Sequence, residues 1–378
     1  MTAGYAYYRL PHDSHYTTVQ GDVQEFRSCT QLNGQSGFVV APFQVSDRQP
    51  ILVIRPDRVE VRGARSEEGG TSNEEGGTSN EEGGMRLDAS LDAASELSSF
   101  LVTRPSLLDT YHIDFSNFHA QLRAGTFRKI VLARCADEPA VEGVSDKELF
   151  LRACQLYPRM FIALVHTPQS GTWLTATPEI LLDGDGSHWR TIALAGTVAL
   201  EGEQLDGEGE TVTWSTKNIE EQRLVATYIA ECLERFTTDF QEEGPRTVRA
   251  ANLVHLRSDF TFTLPSDDRL GDLLHALHPT PAVCGLPKRE AFDFIVRNEH
   301  TPRRYYSGFI GPLNLDSSLF TLHSSLKCTH LYVSLRCMNI ENGVYHLYAG
   351  GGLLKDSQEE QEWQETENKL GTMRQVIR

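Results

Sequence analysis

The chain has 378 residues, 39% of them hydrophobic, and a formal net charge of -17. That length can bury a large core in one big domain or two smaller ones, and the acidity argues against nucleic acid as a partner. No run of apolar residues is long enough to span a bilayer, and residues 1–10 lack a basic start followed by an apolar stretch. Seven cysteines are scattered with no CxxC pair and no metal-ligand spacing, which suits a reducing cytosol. The expectation is a soluble cytoplasmic protein.

Residues 1–66 read as a strand-rich part of the fold, with 37–43 and 51–54 the clearest strands and 5–8 another. Residues 67–84 repeat Glu-Glu-Gly-Gly-Thr-Ser-Asn. The repeat has no apolar position for a coiled-coil seam, so its glycine pairs and acidic charge predict a flexible, solvated loop. Residues 91–100 and 111–124 read as helices. Residues 127–135 follow as a strand, with Lys129, Val131 and Ala133 on one face and Ile130, Leu132 and Arg134 on the other. A lysine in so apolar a strand is unusual; its ordinary reading is a charge on an edge strand.

Residues 146–154 read as a helix, with Ser145 placed to cap it and Glu148 three residues on. A strand at 159–166 precedes one at 173–182, which Thr177-Pro178 kinks so that Glu179 points away from the ladder. Residues 191–197 form a strand ending in a small turn, where the Gly196 N–H and the Thr197 hydroxyl can admit a ligand carboxylate. The long amphipathic helix at 217–236 can present Glu221 at one end while it packs along the rest. A strand at 250–262, a helix at 270–277 stopped by Pro279 and Pro281, and a helix at 288–298 come next. Strands at 305–311 and 330–338 follow, the second carrying Arg336 among apolar neighbours.

Residues 344–349 read as a strand running into a turn at Gly350, Gly351 and Gly352, where backbone can approach a ligand closely. On the helix beyond, Glu362, Glu365 and Lys369 share one face. Two carboxylates and an ammonium beside a glycine loop can hold a divalent cation and an anionic substrate; a solvated face with ion pairs is the ordinary alternative. Many strands with interspersed helices and no regular βαβ period predict one large α+β domain.

Several segments together carry a resemblance. Lys129-Ile-Val-Leu-Ala-Arg134, Ala176-Thr-Pro-Glu179, Leu194-Ala-Gly-Thr197, Lys217-Asn-Ile-Glu-Glu221, His278-Pro-Thr-Pro-Ala-Val283, Arg336, Gly350-Gly-Gly352 and Glu365-Thr-Glu-Asn-Lys369 occur in the order found in the chorismate-utilising enzymes. These comprise isochorismate, salicylate, anthranilate and aminodeoxychorismate synthases. The resemblance covers residues 110–375, and it implies packed, largely antiparallel sheets flanked by helices. Within the family the likeness is greatest to the isochorismate synthases. Ala195 stands where the aminodeoxychorismate enzymes carry a nucleophilic lysine, and His278-Pro-Thr-Pro-Ala replaces the Pro-Ala-Gly-Thr run typical of anthranilate synthases. Both suit water as the nucleophile. The salicylate synthases share much of the pattern and are the alternative.

The reaction implied by the resemblance adds water at C2 of chorismate as the C4 hydroxyl leaves, for menaquinone or siderophore synthesis, with no obligate protein partner. Lys129 matches the general base, which must be partly neutral, and Glu179 the general acid, which must hold a proton near neutral pH. Glu221 and Glu365 match ligands of Mg²⁺, with Glu362 joining through water. Arg336 matches the grip on a substrate carboxylate. Gly196, Thr197, Gly350 and Lys369 supply further donors, and Ala282, Val283, Tyr306, Leu335 and Tyr348 line the ring pocket. The chain departs from the common pattern at Thr177, at Asn218 and Gln222 around the metal-ligand glutamate, and in the triple glycine. The second departure leaves Glu220 as a register competitor for Glu221.

Overall fold

The computed structural model describes residues 3–63, 107–200, 212–250, 253–266, 268–316 and 327–378. The acidic repeat at 67–84 and the predicted helix at 91–100 lie outside them. Six α-helices occur among the described residues: α1 (Leu107–Arg123), α2 (Asp146–Leu156), α3 (Thr216–Leu233), α4 (Leu270–Leu277), α5 (Lys288–Asn298) and α6 (Glu359–Ile377). None is long and apolar enough to cross a membrane.

The strands form two antiparallel sheets. The first runs Arg58–Gly63, His15–Phe26, Ala3–Arg9, Phe161–Thr167, Gly171–Thr177, Cys337–Glu341, Val344–Leu353, Lys129–Pro139, Gly285–Leu286. The second runs Phe240–Ala250, Leu253–Thr263, His188–Ala199, Ile180–Asp185, Lys327–Val333, Phe309–Leu313, Gly37–Ala41, Ile51–Ile54. His15–Phe26 belongs to both: its first half pairs with Arg58–Gly63 and its end with Ile51–Ile54. The inner faces meet in an aromatic-rich core that includes Phe38, Phe161, Trp173 and Tyr332. The outer face of the second sheet is covered by α3 and α4 through Val225, Ile229, Leu273 and Leu277. On the first sheet, α2 and α6 pack through Phe150, Leu370 and Met373, and α1 and α5 through Phe118 and Ile295. The result is one α+β domain of helix, sheet, sheet and helix layers.

Local chemistry explains much of this. The Ser145 side chain accepts a hydrogen bond from the Glu148 N–H, capping α2 as its sequence predicts. At the other end of α2 the buried Arg9 guanidinium donates to the carbonyls of Cys154, Tyr157 and Met160 at 2.8, 2.6 and 2.7 Å, answering groups that a helix end leaves unpaired.

Four expectations are corrected. Gly350, Gly351 and Gly352 form no turn: the strand runs through them to Leu353, with Gly352 opposite Val131. Their lack of side chains is needed because of what faces them. A Cβ on Gly352 would lie 2.1 Å from Glu221 Oε1, and one on Gly350 2.7 Å from the Tyr306 hydroxyl. Residues 305–308 are a turn, with Ser307 at φ 61, and the strand starts only at Phe309. Residues 330–338 are not one strand. Lys327–Val333 lies in the second sheet, Cys337–Glu341 in the first, and residues 334–336 cross between them. Lys129 is likewise no edge charge, because its strand is paired on both sides. The bounds of His15–Phe26 and Phe240–Ala250 went unpredicted, since polar residues and glycines break their alternation, and Arg58–Gly63 alternates but is short and rich in charge.

A buried ion pair ties these parts together. Arg303 donates from Nε and Nη2, one edge of its guanidinium, to the two carboxylate oxygens of Glu299, at 2.6 and 2.7 Å. Arg303 also donates to the carbonyls of Val283 (2.6 Å) and Val131 (2.8 Å), while Glu299 accepts from the Ala133 N–H at 2.8 Å. Removing one member strands the other charge in the interior. Glu299→Ala is expected to cost about 3–5 kcal/mol of stability, read from urea unfolding. A loss below about 1 kcal/mol would show that the clamp is dispensable.

Candidate active site

The chain crosses between the sheets at two adjacent points, and each crossing carries a charge. One crossing, between Gly171–Thr177 and Ile180–Asp185, holds Glu179; the other holds Arg336. The crossings are bonded to each other, Val333 N–H to Glu179 carbonyl at 2.9 Å and Ala176 N–H to Arg336 carbonyl at 3.1 Å. Arg336 has a left-handed backbone, φ 46, a conformation disfavoured for residues other than glycine.

A cavity opens at this point. Its walls include Glu179, Gly196, Thr197, Glu221, Ala282, Val283, Tyr306, Leu335, Arg336, Tyr348, Gly350 and Lys369. Twelve of the fourteen predicted site residues are thus brought together. Lys129 stands one contact behind the wall, fully buried, with Nζ 3.0 Å from Glu221 Oε1. Glu365 is absent from the wall and meets it through Lys369, whose Nζ bonds Glu365 Oε1 at 2.6 Å and the Gly350 carbonyl at 2.8 Å. Glu221 faces the cavity and Glu220 is exposed, which separates the two register competitors. Gly196 sits at a bulge in the ladder, at φ 72, a conformation that glycine adopts without strain.

His255 is a wall residue that sequence reasoning missed. Its Nδ1 is 3.1 Å from the Gly196 carbonyl, which can only accept, so the proton belongs on Nδ1. Nε2 then accepts from Arg336 Nη2 at 2.5 Å. Burial, followed by the nearby Arg336 and Lys369 charges, holds the imidazole well below its ordinary range, so it is neutral. A lone histidine in a strand has no local partner in the sequence. The pairing of Leu253–Thr263 with His188–Ala199, which sets His255 opposite Thr197, is the signal that identifies it.

Burial governs the other charges too. It raises Glu179 to about 7, against the pull of Lys129, Arg336 and Lys369. It lowers Arg336 to about 10, against the pull of Glu179. Arg336 Nη1 is buried with no hydrogen-bond partner among the described residues, a donor lacking an acceptor. Burial alone would raise Glu221, but the Lys129 and Lys217 ammoniums outweigh it and hold the carboxylate below its ordinary range. Lys217 also bonds Glu362 Oε1 at 2.5 Å, while Glu362 Oε2 is buried without a partner among the described residues. Burial and then the neighbouring Glu365 raise the Glu362 carboxyl. The cavity itself is only about 60 Å³, well below the size of a typical ligand pocket. Its charged side chains meet one another.

A family model described as "Chorismate binding enzyme" matches residues 92–378. The chain belongs to the chorismate-binding enzymes. The isochorismate synthase MenF of Escherichia coli is 33% identical over 256 residues, 67% of this chain and 56% of that protein. The salicylate biosynthesis isochorismate synthase of Pseudomonas aeruginosa is 32% identical over 263 residues, 68% and 52%. The chain spans little more than half the length of these curated relatives. Among solved structures, menaquinone-specific MenF from Escherichia coli aligns with a TM-score of 0.75 at 24% identity, over 99% of this chain and 89% of that one. Anthranilate synthase component I from Streptococcus pneumoniae gives 0.58 at 21%, over 71% and 57%. At such identities the structural likeness establishes the fold.

Glu179 yields a prediction for stability. Its carboxyl ordinarily titrates at 4.5 and here near 7, so between those values the folded chain keeps a proton that the unfolded chain releases. Relative to Glu179→Gln, the protein should lose about 3 kcal/mol as pH rises from 4.5 to 7. Urea unfolding of both proteins at pH 5 and pH 8 checks the sign; a constant difference would refute the raised value.

Proposed function

We propose that the chain is a Mg²⁺-dependent isochorismate synthase, an isomerase that exchanges the C4 hydroxyl of chorismate for one at C2. The observation that carries this reading is a single cavity joining a carboxyl poised near pH 7, a buried lysine behind it and a buried guanidinium N–H with no acceptor. A dianionic substrate losing a hydroxyl needs such a set: an acid, a base and an anchor.

Arg336 takes a substrate carboxylate with Nη1, while Nη2 stays on His255. Thr197 and the Gly196 bulge add hydroxyl and backbone donors, and the stacked Tyr306 and Tyr348 rings, 5.5 Å apart, flank the substrate's ring. Lys129 removes a proton from water as its oxygen attacks C2. The ring double bond shifts, the C4–O bond breaks, and Glu179 protonates the departing hydroxyl to water. Ala195 in the wall offers no amine to compete.

The carboxylates fit a hard divalent cation. Glu221, Glu362 and Glu365 are oxygen donors, one oxygen of Glu362 has no partner, and the repulsion that raises Glu362 is of the kind a cation relieves. Glu221 and Glu365 would hold the ion, with Glu362 behind them. When bound, it would supply positive charge to the substrate's ring carboxylate and engage Glu221 in place of Lys129. Seven free cysteines accord with a cytoplasmic setting, and a cavity built within one domain accords with action without a protein partner.

Incubating the purified chain with chorismate and Mg²⁺, without any nitrogen donor, tests the reading by chromatography. Isochorismate in equilibrium with chorismate, with no pyruvate and no reaction lacking Mg²⁺, is expected. Salicylate with pyruvate would assign a salicylate synthase, and turnover only with ammonia would overturn water as nucleophile. Lys129→Ala should lower turnover by at least about a hundredfold while chorismate still binds in calorimetry. Glu365→Gln should raise the Mg²⁺ needed by about tenfold or more; an unchanged titration would remove Glu365 from the metal site.

A further inference from the structure

A second and larger cavity, of about 730 Å³, lies where α3, α4 and α5 meet residues 27–45. It shares no lining residue with the active-site cavity. Its volume falls in the range of small-molecule pockets. Its floor is aromatic, with Phe43, Tyr228, Phe236 and Phe292, the rings of Phe43 and Phe292 lying 5.2 Å apart.

The cavity's charge runs against that of the chain. In a protein of net charge -17, its lining carries Arg27, Arg235, Lys288 and Arg289, and Asp272 is its one carboxylate. Asp272 is already engaged by Arg269 and Asn33, at 2.9 Å each. Arg27 is paired with Glu25 and Asp47. Arg235, Lys288 and Arg289 have no carboxylate partner among the described residues. Lys288 is held only by the Ala276 carbonyl, at 2.7 Å, with its Nζ 5.4 Å from the Tyr228 ring centroid. A half-buried ammonium beside two exposed guanidiniums, none of them answered by a carboxylate among the described residues, gives the aromatic cavity a cationic rim suited to an anion.

We propose that this cavity is a second small-molecule site, for an aromatic ring bearing a carboxylate or phosphate. The ring lies on the aromatic floor, and the anionic head bonds Lys288 and Arg235. Carboxylate and phosphate offer the same charge-assisted contacts to these donors, so the ring–anion combination defines the ligand class. The site is independent of the catalytic assignment.

Calorimetric titration of the full chain tests this with four probes: benzoate, phenyl phosphate, neutral benzamide and ringless inorganic phosphate. An Arg336→Ala background removes the carboxylate grip of the active-site cavity. At least one ring anion should bind, with benzamide and inorganic phosphate each weaker by about tenfold or more. Lys288→Met and Arg235→Ala should each weaken the anion by at least about tenfold. Arg235 is exposed, so its variant keeps the fold should Lys288→Met fail to express. The tighter of the two anions identifies the head group. No binding by either, equal binding by benzamide, or affinities unchanged in both variants would overturn the proposal. The readout is binding rather than turnover, so its failure is distinguishable from failure of the catalytic reading.

Discussion

The buried clamp between Glu299 and Arg303 underlies the whole arrangement. Its guanidinium ties Val131 to Val283, and its carboxylate fastens Ala133. Val131 and Val283 both line the cavity of the candidate site, so the clamp forms part of the wall's backing. Buried ion pairs seldom add much net stability, because desolvation cancels most of the attraction. What this pair contributes is register: every bond it makes goes to a fixed backbone group or to its partner, and a shifted strand would leave both charges stranded.

A second theme is restraint of charge. Glu179 is raised, while His255 and Arg336 are lowered, and burial is the largest cause each time. Each group is pushed toward its neutral form by the same scarcity of water. The remaining charges pair among themselves, Lys129 with Glu221, Lys217 with Glu362 and Lys369 with Glu365. In a cavity this narrow Arg336 Nη1 is left as an unanswered buried donor, while the neighbouring ammoniums already have carboxylate partners.

Much of this was legible in the sequence, for identifiable reasons. The α2 cap and the bounds of α4 and α5 rest on local rules of capping and proline placement, and these hold wherever the segment lies. Glu179 and Lys129 stood out because each is an ionisable residue in an apolar run. The switch of His15–Phe26 from one sheet to the other is invisible locally, since it depends on two partners distant in sequence. The glycines at 350–352 looked like a turn because composition reports flexibility and not the side chains opposite. His255 was missed for the same reason: its partners Gly196 and Arg336 come from elsewhere in the chain.

The pairing of Val344–Leu353 with Lys129–Pro139 carries a kinetic consequence. It joins opposite halves of the chain, and Gly352 must sit over Val131 before Glu221 and Lys129 have their neighbour. Closing so long a loop is entropically slow, and contacts of this kind form late. A nascent chain therefore holds Lys129, Glu179 and Glu221 well before it holds the strand that closes the cavity around them. Until Val344–Leu353 and α6 have docked, the cavity lacks the wall that Tyr348, Gly350, Gly352 and Lys369 supply, and its closure reports that these distant segments have met.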